Sequence, residues 1–217
     1  MSDETATSES DAIAWDERYQ GWDEQMWSGN ANGSLVAEVV DTEPGRALDV
    51  GCGEGADAIW LAQQGWTTTA TDISATAIER ASRAGEQANV DVAWEVGDLM
   101  VSQPDGGPFD LVVVCYPAFR ASSRDRAIEA LCEATAPGGL LLVIGHVVEH
   151  HSHEEGDSLA EHHGFDPADY VSIDDIIDAV RGDFDIVTDE QRERPDAPDG
   201  AHHSVDRVLV ARRRAAR

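Results

Sequence analysis

The sequence predicts an α/β fold: a mostly parallel sheet of seven strands with helices on both faces. Three observations carry this. Strand-like and helix-like segments alternate from residue 46 onward, the pattern that builds parallel sheets through helical crossovers. Phe109–Cys115 and Leu140–Val148 are nearly unbroken apolar runs, as expected of strands covered on both sides. The chain closes with two strand-like segments and no helix between them. They should pair as a hairpin, so one strand runs antiparallel to the rest.

The elements follow in order. Residues 1–12 are polar and acidic without periodicity and predict a disordered tail. Residues 13–44 form a tryptophan-rich segment with helical spacing from Ser34 to Val40, ended by Pro44-Gly45. The body spans 45–212, and 213–217 is a basic tail. Arg46–Val50 is a short apolar strand running into glycines, and Ala56–Gln64 is helical with Gly65 as its stop. Thr67–Thr71 is β-branched and strand-like, and Ser74 caps a helix bearing Ile78, Ala81 and Ala84. Val90–Val96 alternates as a strand does. Ile128, Leu131, Cys132 and Thr135 then recur at helical spacing up to Pro137-Gly-Gly139. Ile173, Ile176, Ile177 and Val180 repeat that spacing behind a Ser172/Asp175 capping box. Phe184–Thr188 and Val205–Ala211 are the closing strands.

Composition limits the function. The 217 residues suit one domain with a full core, and the 43 acidic against 15 basic residues leave a formal charge of -28. Every base is arginine, since the chain has no lysine. Such a surface repels phosphate backbones and anionic lipid, so no nucleic-acid or membrane partner is expected. The acidity fits either a GC-rich genome or adaptation to concentrated salt, where self-repulsion is screened. No apolar run approaches the roughly 18–20 residues of a membrane span, and the polar start is unlike a signal peptide. A cytoplasmic monomer or homodimer is the expectation. Cys52, Cys115 and Cys132 lack metal spacing and are read as reduced thiols.

The loop Asp49-Val-Gly-Cys-Gly-Glu-Gly55 lies where the first strand turns into the first helix of the body. Glycines there let a ligand approach the backbone, and the helix start offers unpaired N–H groups. Asp72 ends the second strand about 20 residues on, where an acid commonly takes ribose hydroxyls. Gly51-Cys-Gly53-Glu-Gly-Ala56 also satisfies the dinucleotide pattern G-x-G-x-x-G/A, so an NAD(P)-dependent oxidoreductase fits the glycines equally. Asp49 tips the choice: two residues before the first glycine, it can hold an ammonium, whereas a pyrophosphate would meet an anion. Gly97-Asp98-Leu99 can bracket an adenine, and the closing hairpin replaces a second βαβαβ half.

Ala47–Gly55, Asp72-Ile-Ser74, Gly97-Asp-Leu99, Phe109-Asp-Leu-Val112 and Ala136-Pro-Gly-Gly139 resemble, in order and spacing, the motifs of class I S-adenosylmethionine (SAM)-dependent methyltransferases. Trp15-Asp-Glu-Arg-Tyr19 and Trp27–Asn32 resemble the small bacterial members near the thiopurine and tellurite-resistance group, whose N-terminal segment folds over the cofactor. The resemblance covers about residues 15–211. It implies a Rossmann-like three-layer sandwich with strand order 3-2-1-4-5-7-6, the last strand antiparallel. It implies that Asp49, Gly51, Cys52, Gly53 and Gly55 surround the methionine moiety of SAM. Asp72 would bind the ribose with Ile73 against the adenine, while Asp98 and Leu99 would bracket that ring. Trp15, Tyr19 and Trp27 would cover the cofactor, and Cys115 and Tyr116 would lie beside the reactive methyl.

The implied activity is methyl transfer to a small-molecule acceptor. SAM carries its own activation, so the protein mainly aligns a nucleophile and excludes water. A base is needed only for an acceptor protonated at working pH. Tyr116 and His146, at strand ends on the ligand-binding edge, are the candidate catalytic residues. Tyr116-Pro117 departs from the Asn/Asp-Pro-Pro-Tyr pattern of amino-group methyltransferases. His146, His150, His151, His153, His162 and His163 lie among acids. They lack firm ligand spacing, so no metal is expected and the stretch reads as a substrate-recognition lid. A SAM-binding regulator without catalysis is the remaining alternative, since methyl transfer demands no particular side chain.

Overall fold

The computed structural model describes residues 2–22, 25–147, 167–194 and 204–215. Two helices come first, α1 (Ser2–Gln20) and α2 (Gly33–Val39). The alternating body follows: β1 (Arg46–Val50), α3 (Ala56–Gln63), β2 (Thr67–Asp72), α4 (Ala75–Ala88), β3 (Val92–Val96), β4 (Phe109–Cys115), α5 (Arg124–Ala134) and β5 (Thr135–His146). Helix α6 (Ile173–Val180) precedes β6 (Phe184–Glu193) and β7 (Val205–Arg213). The sheet order is β3-β2-β1-β4-β5-β7-β6, with β7 antiparallel to both β5 and β6. This is the expected Rossmann-like topology.

The three layers follow from period-two burial along the central strands. Leu48, Val50, Val112, Val114, Leu141, Val143, Leu209 and Ala211 pack on one face against Ile128 and Leu131 of α5 and Ile176, Ile177 and Val180 of α6. Their neighbours Ala47, Leu111, Val113, Leu142, Ile144, Val208 and Val210 face the other way, against Leu35 and Val39 of α2 and Leu61 of α3. Helix α2 is therefore one of the packed layers and not part of a cofactor cover. The Ser172/Asp175 capping box forms as the residue types predict. Helix α5 stops one residue early because the Thr135 hydroxyl bonds back to Leu131 O at 2.8 Å and β5 begins there.

The N-terminus differs from expectation. Residues within 1–12, predicted to be disordered, belong to helix α1. No apolar stripe announces it; polar partners far along the chain hold it instead. Asp11 pairs with Arg120 at 2.9 Å, and Asp16 Oδ1 accepts from Ser74 Oγ and Thr76 N, both at 2.8 Å. A helix held by such contacts leaves no periodicity in its own sequence.

Parallel β1 to β5 bring Val50, Asp72, Val96, Cys115 and His146 to the carboxyl edge of the sheet, the edge where open α/β sheets bind ligands. The three loop glycines there have separate roles, although all have positive φ (68°, 53° and 84°). A Cβ on Gly51 meets nothing within 4 Å, so that position is open to the cleft. On Gly53 it would lie 2.9 Å from the Tyr19 hydroxyl. On Gly55 it would lie 2.7 Å from the Trp94 ring and 2.9 Å from Ala81 Cβ. Gly55 therefore exists for close packing of β3 and α4 behind the loop. Gly55→Ala should cost about 2 kcal/mol or more through strain and overpacking, and Gly51→Ala about 1 kcal/mol through backbone strain alone. Urea unfolding of the two variants measures the difference.

Candidate active site

Asp49 is the last but one residue of β1 and is only 2% exposed. One carboxylate oxygen accepts from the Ala58 amide at the start of α3, while Oδ2 has no hydrogen-bond partner. Burial pushes its pKa well above the usual carboxylate range, and the charges of Asp57 and Asp72 push it further. Asp57, in the first turn of α3, accepts from Asn32 N at 2.7 Å and from the Cys115 thiol. Its pKa is also raised, chiefly by burial. Asp72, ending β2, accepts from Gly53 N at 2.9 Å and Ser74 N at 2.8 Å, and burial raises it as well. Three carboxylates thus converge beneath the glycine loop. Among the described residues no ion pair reaches any of them. Burial and these same anions raise Cys52 and Cys115, so both stay neutral thiols and Cys115 is a wall of the site, not a nucleophile.

The N-terminal segment closes over this loop. Tyr19 is 3% exposed, and its hydroxyl accepts from Trp27 Nε1 at 3.0 Å directly over Gly53. Burial pushes the Tyr19 phenol pKa up, so it stays protonated. Glu54 anchors the segment by accepting from Met26 N and Trp27 N, each at 3.0 Å, and pairing with Arg80 at 2.9 Å. Arg80 in turn donates to Tyr19 O and Trp22 O. Trp15 is half-buried on α1, its ring 6.3 Å from that of Tyr19.

On the β2–β3 side, Ile73 borders a groove of about 260 Å³ with Ala12, Ile13, Asp16, Glu17 and Ala75. Asp98 accepts from Met100 N at 2.8 Å and from Ser8 Oγ of α1 at 2.5 Å. Leu99 is 3% exposed and packs into the core beneath α5 and α6.

On the β4–β5 side, Tyr116 has φ 56° and stacks on His146 with ring centroids 4.3 Å apart. Its hydroxyl donates to Asp206 Oδ1 at 2.9 Å and accepts from Asn32 Nδ2 at 3.2 Å. Asp206, fully buried on β7, also accepts from Ser34 Oγ at 2.9 Å and faces Arg194 at 3.8 Å. Burial and the Asp206 charge push the phenol pKa up. A phenol so held stays protonated and orients its neighbours. His146 is exposed.

The sequence reading brought Asp49, Cys52, Gly53, Asp72, Tyr19 and Trp27 together at one edge, as the geometry has them. It missed Asp57, Asn32 and Asp206. Asp57 had a signal, lying two residues after Gly55 as Asp49 lies two before Gly51. Asp206 had none, being 90 residues from the tyrosine it holds. Among the described residues no group of three or more His, Cys, Asp or Glu could hold a metal. His150, His151, His153, His162 and His163, and the lid read from them, lie outside the described residues. No described helix is long and apolar enough to cross a membrane.

Residues 47–139 match the family model of a methyltransferase domain. An uncharacterized methyltransferase of Mycobacterium tuberculosis is 31% identical over 122 residues, 56% of this chain and 61% of that protein. The chain thus spans less than two thirds of the curated relatives it first matches. Among solved structures, the N-methyltransferase NodS of Bradyrhizobium japonicum, in complex with S-adenosylhomocysteine (SAH), is 18% identical. It aligns with a TM-score of 0.68 over 93% of this chain and 98% of that one. A TehB-like SAM-dependent methyltransferase of Corynebacterium glutamicum aligns at 0.57 with 20% identity, covering 97% and 100%. These two establish the likeness of fold.

The buried carboxylates give a prediction for the protein without ligand. A raised folded-state pKa means that the folded form binds protons more tightly than the unfolded chain. The stability this confers is full below the ordinary carboxylate range and is lost as pH rises through the raised value. Asp49→Asn removes the charge and keeps an acceptor for Ala58 N. It should raise Tm at pH 7 by roughly 3 °C or more, with the gap closing toward pH 4. Thermal melts across that range check both the sign and the closure.

Proposed function

We propose, from the match of residues 47–139 to a methyltransferase-domain model and the likeness of fold to a SAM-dependent methyltransferase, that this chain transfers the methyl group of SAM to a small-molecule acceptor. The observation that carries the reading is the orphaned Oδ2 of Asp49 beneath the glycine loop, in the company of Asp57 and Asp72. A site built this way lacks a cation. The methionine end of SAM supplies positive charge; a pyrophosphate at the same corner would place further anions against three carboxylates. The residues present therefore fit SAM and not NAD.

Each residue then has a task. Gly51 lets the ligand approach the backbone, and Asp49 faces the ammonium-bearing end. Asp72 takes the ribose hydroxyls while holding Gly53 N and Ser74 N, which keeps the loop in register. Ile73 lines the adenine side with α1 above it, and Asp98 offers an acceptor there. Tyr19, Trp27 and the Glu54–Arg80 pair close the loop against water. When bound, SAM supplies an activated methyl on a sulfonium. On the acceptor side Cys115 and Tyr116 form a neutral wall, and His146 is the side chain placed to exchange a proton. An acceptor that reaches the site as an anion, such as a thiolate, needs no proton removed there.

Calorimetric titration tests the reading. SAM and SAH should bind and NAD should not; tight NAD binding with none of SAM would overturn it. Asp72→Ala should weaken SAM by about tenfold or more, since a charge-assisted contact and the loop's own anchors are lost together.

A further inference from the structure

Asp57 lies outside the motif residues that define the domain, yet it completes the acidic floor. Its carboxylate joins three elements, accepting from Asn32 N before α2 and from the Cys115 thiol at the end of β4, while sitting on α3. Its charge is the one that acts most strongly on Asp49, whose Oδ2 has no partner in a side chain 2% exposed. The other titratable groups acting on this pair are Asp72 on β2, Cys52 in the loop and Cys115 on β4. Tyr19 and Asp16 of α1 act on Asp72, and Asp206 of β7 acts on Cys115. All of these are acids, thiols or a phenol. None of these groups can carry a positive charge.

We propose, resting on the cofactor reading above, that Asp57 and Asp49 together gauge the charge of the bound cofactor and so favour SAM over its spent form. The methionine end of SAM carries one carboxylate, one ammonium and one sulfonium, a net charge of about +1 at neutral pH by the ordinary ionisation of those groups. Methyl transfer leaves the S–C bond pair on sulfur as the acceptor's lone pair forms the new bond to carbon. SAH therefore has no net charge there. A floor of partly buried carboxylates, poorly screened by solvent, loses its counter-charge at that moment. Hold on the product weakens in the same step that makes it. This also gives Asp57 a reason to be acidic, since capping the Asn32 amide alone would need only a polar acceptor.

Calorimetry at pH 7.5 with SAM, SAH and sinefungin tests this on the full chain. Sinefungin carries an amine cation where SAH has a neutral sulfide. The wild type should bind SAM and sinefungin about tenfold or more tighter than SAH. Asp57→Asn keeps the hydrogen bond from Asn32 and should shrink that preference by about fivefold or more, through loss of SAM and sinefungin affinity with SAH little changed. A second arm needs no variant. As pH falls the raised carboxyls take up protons, so the wild-type preference for sinefungin over SAH should narrow; SAM is left out of this arm because its sulfonium lowers the pKa of its own ammonium relative to SAH. Equal binding of the three ligands, or a preference unmoved both by pH and by Asp57→Asn, would overturn this inference and leave the cofactor reading standing. Failure of the wild type to bind any of them would overturn both.

Discussion

Much of this structure turns on one unfavourable arrangement, the burial of Asp49 with an oxygen that nothing satisfies. A lone buried carboxylate is costly, and two more beside it raise the cost. Folding tolerates it because the surrounding core is large and well packed on both faces of the sheet. The loop glycines, the Asp72 anchors and the α3 N-terminus keep the carboxylates apart from solvent without neutralising them. Carboxylates so placed lack a counter-charge, and pH acts on them directly.

The N-terminal segment shows how a cover forms without a hydrophobic face of its own. Helix α1 uses Ser8, Asp11 and Asp16 as tethers to Asp98, Arg120 and the β2–α4 turn. A partly exposed ion pair such as Asp11–Arg120 is worth about 0–1 kcal/mol, so these contacts together, and none alone, hold the helix across the edge. Tyr19 and Trp27 are set more firmly because Glu54 and Arg80 tie the following turn to the body. Such a cover can be displaced contact by contact.

The acceptor side is organised from the antiparallel strand. Asp206 on β7 reaches Tyr116 just after β4 and Ser34 on α2, and Arg194 after β6 lies over the same tyrosine ring at 5.5 Å. The closing hairpin, which from sequence only argued against a dinucleotide-binding second half, turns out to furnish the carboxylate that holds Tyr116. The tyrosine is fixed by these contacts, and His146 stacks on its ring.

What was legible in the sequence was whatever local chemistry determines. Period-two and 3.6-residue patterns specify strands and helices because each face must be buried, and the hairpin at the end followed from the missing crossover helix. The glycine loop and Asp72 were readable because tight turns and strand ends constrain residue types within a few positions. The sequence-only expectations failed where a partner lies far along the chain. Helix α1 has no pattern because its stabilising groups belong to residues 74–120. The packing of Gly55 against Trp94 and of Leu99 into the core was likewise invisible from sequence. Asp206 was invisible because its role exists only once β7 inserts between β5 and β6. The sequence by itself therefore determined the layered sheet and the place of the cofactor loop. Tertiary structure alone decided which carboxylates share the site and which of them stay unpaired, because such charges interact through a dry interior that no linear spacing encodes.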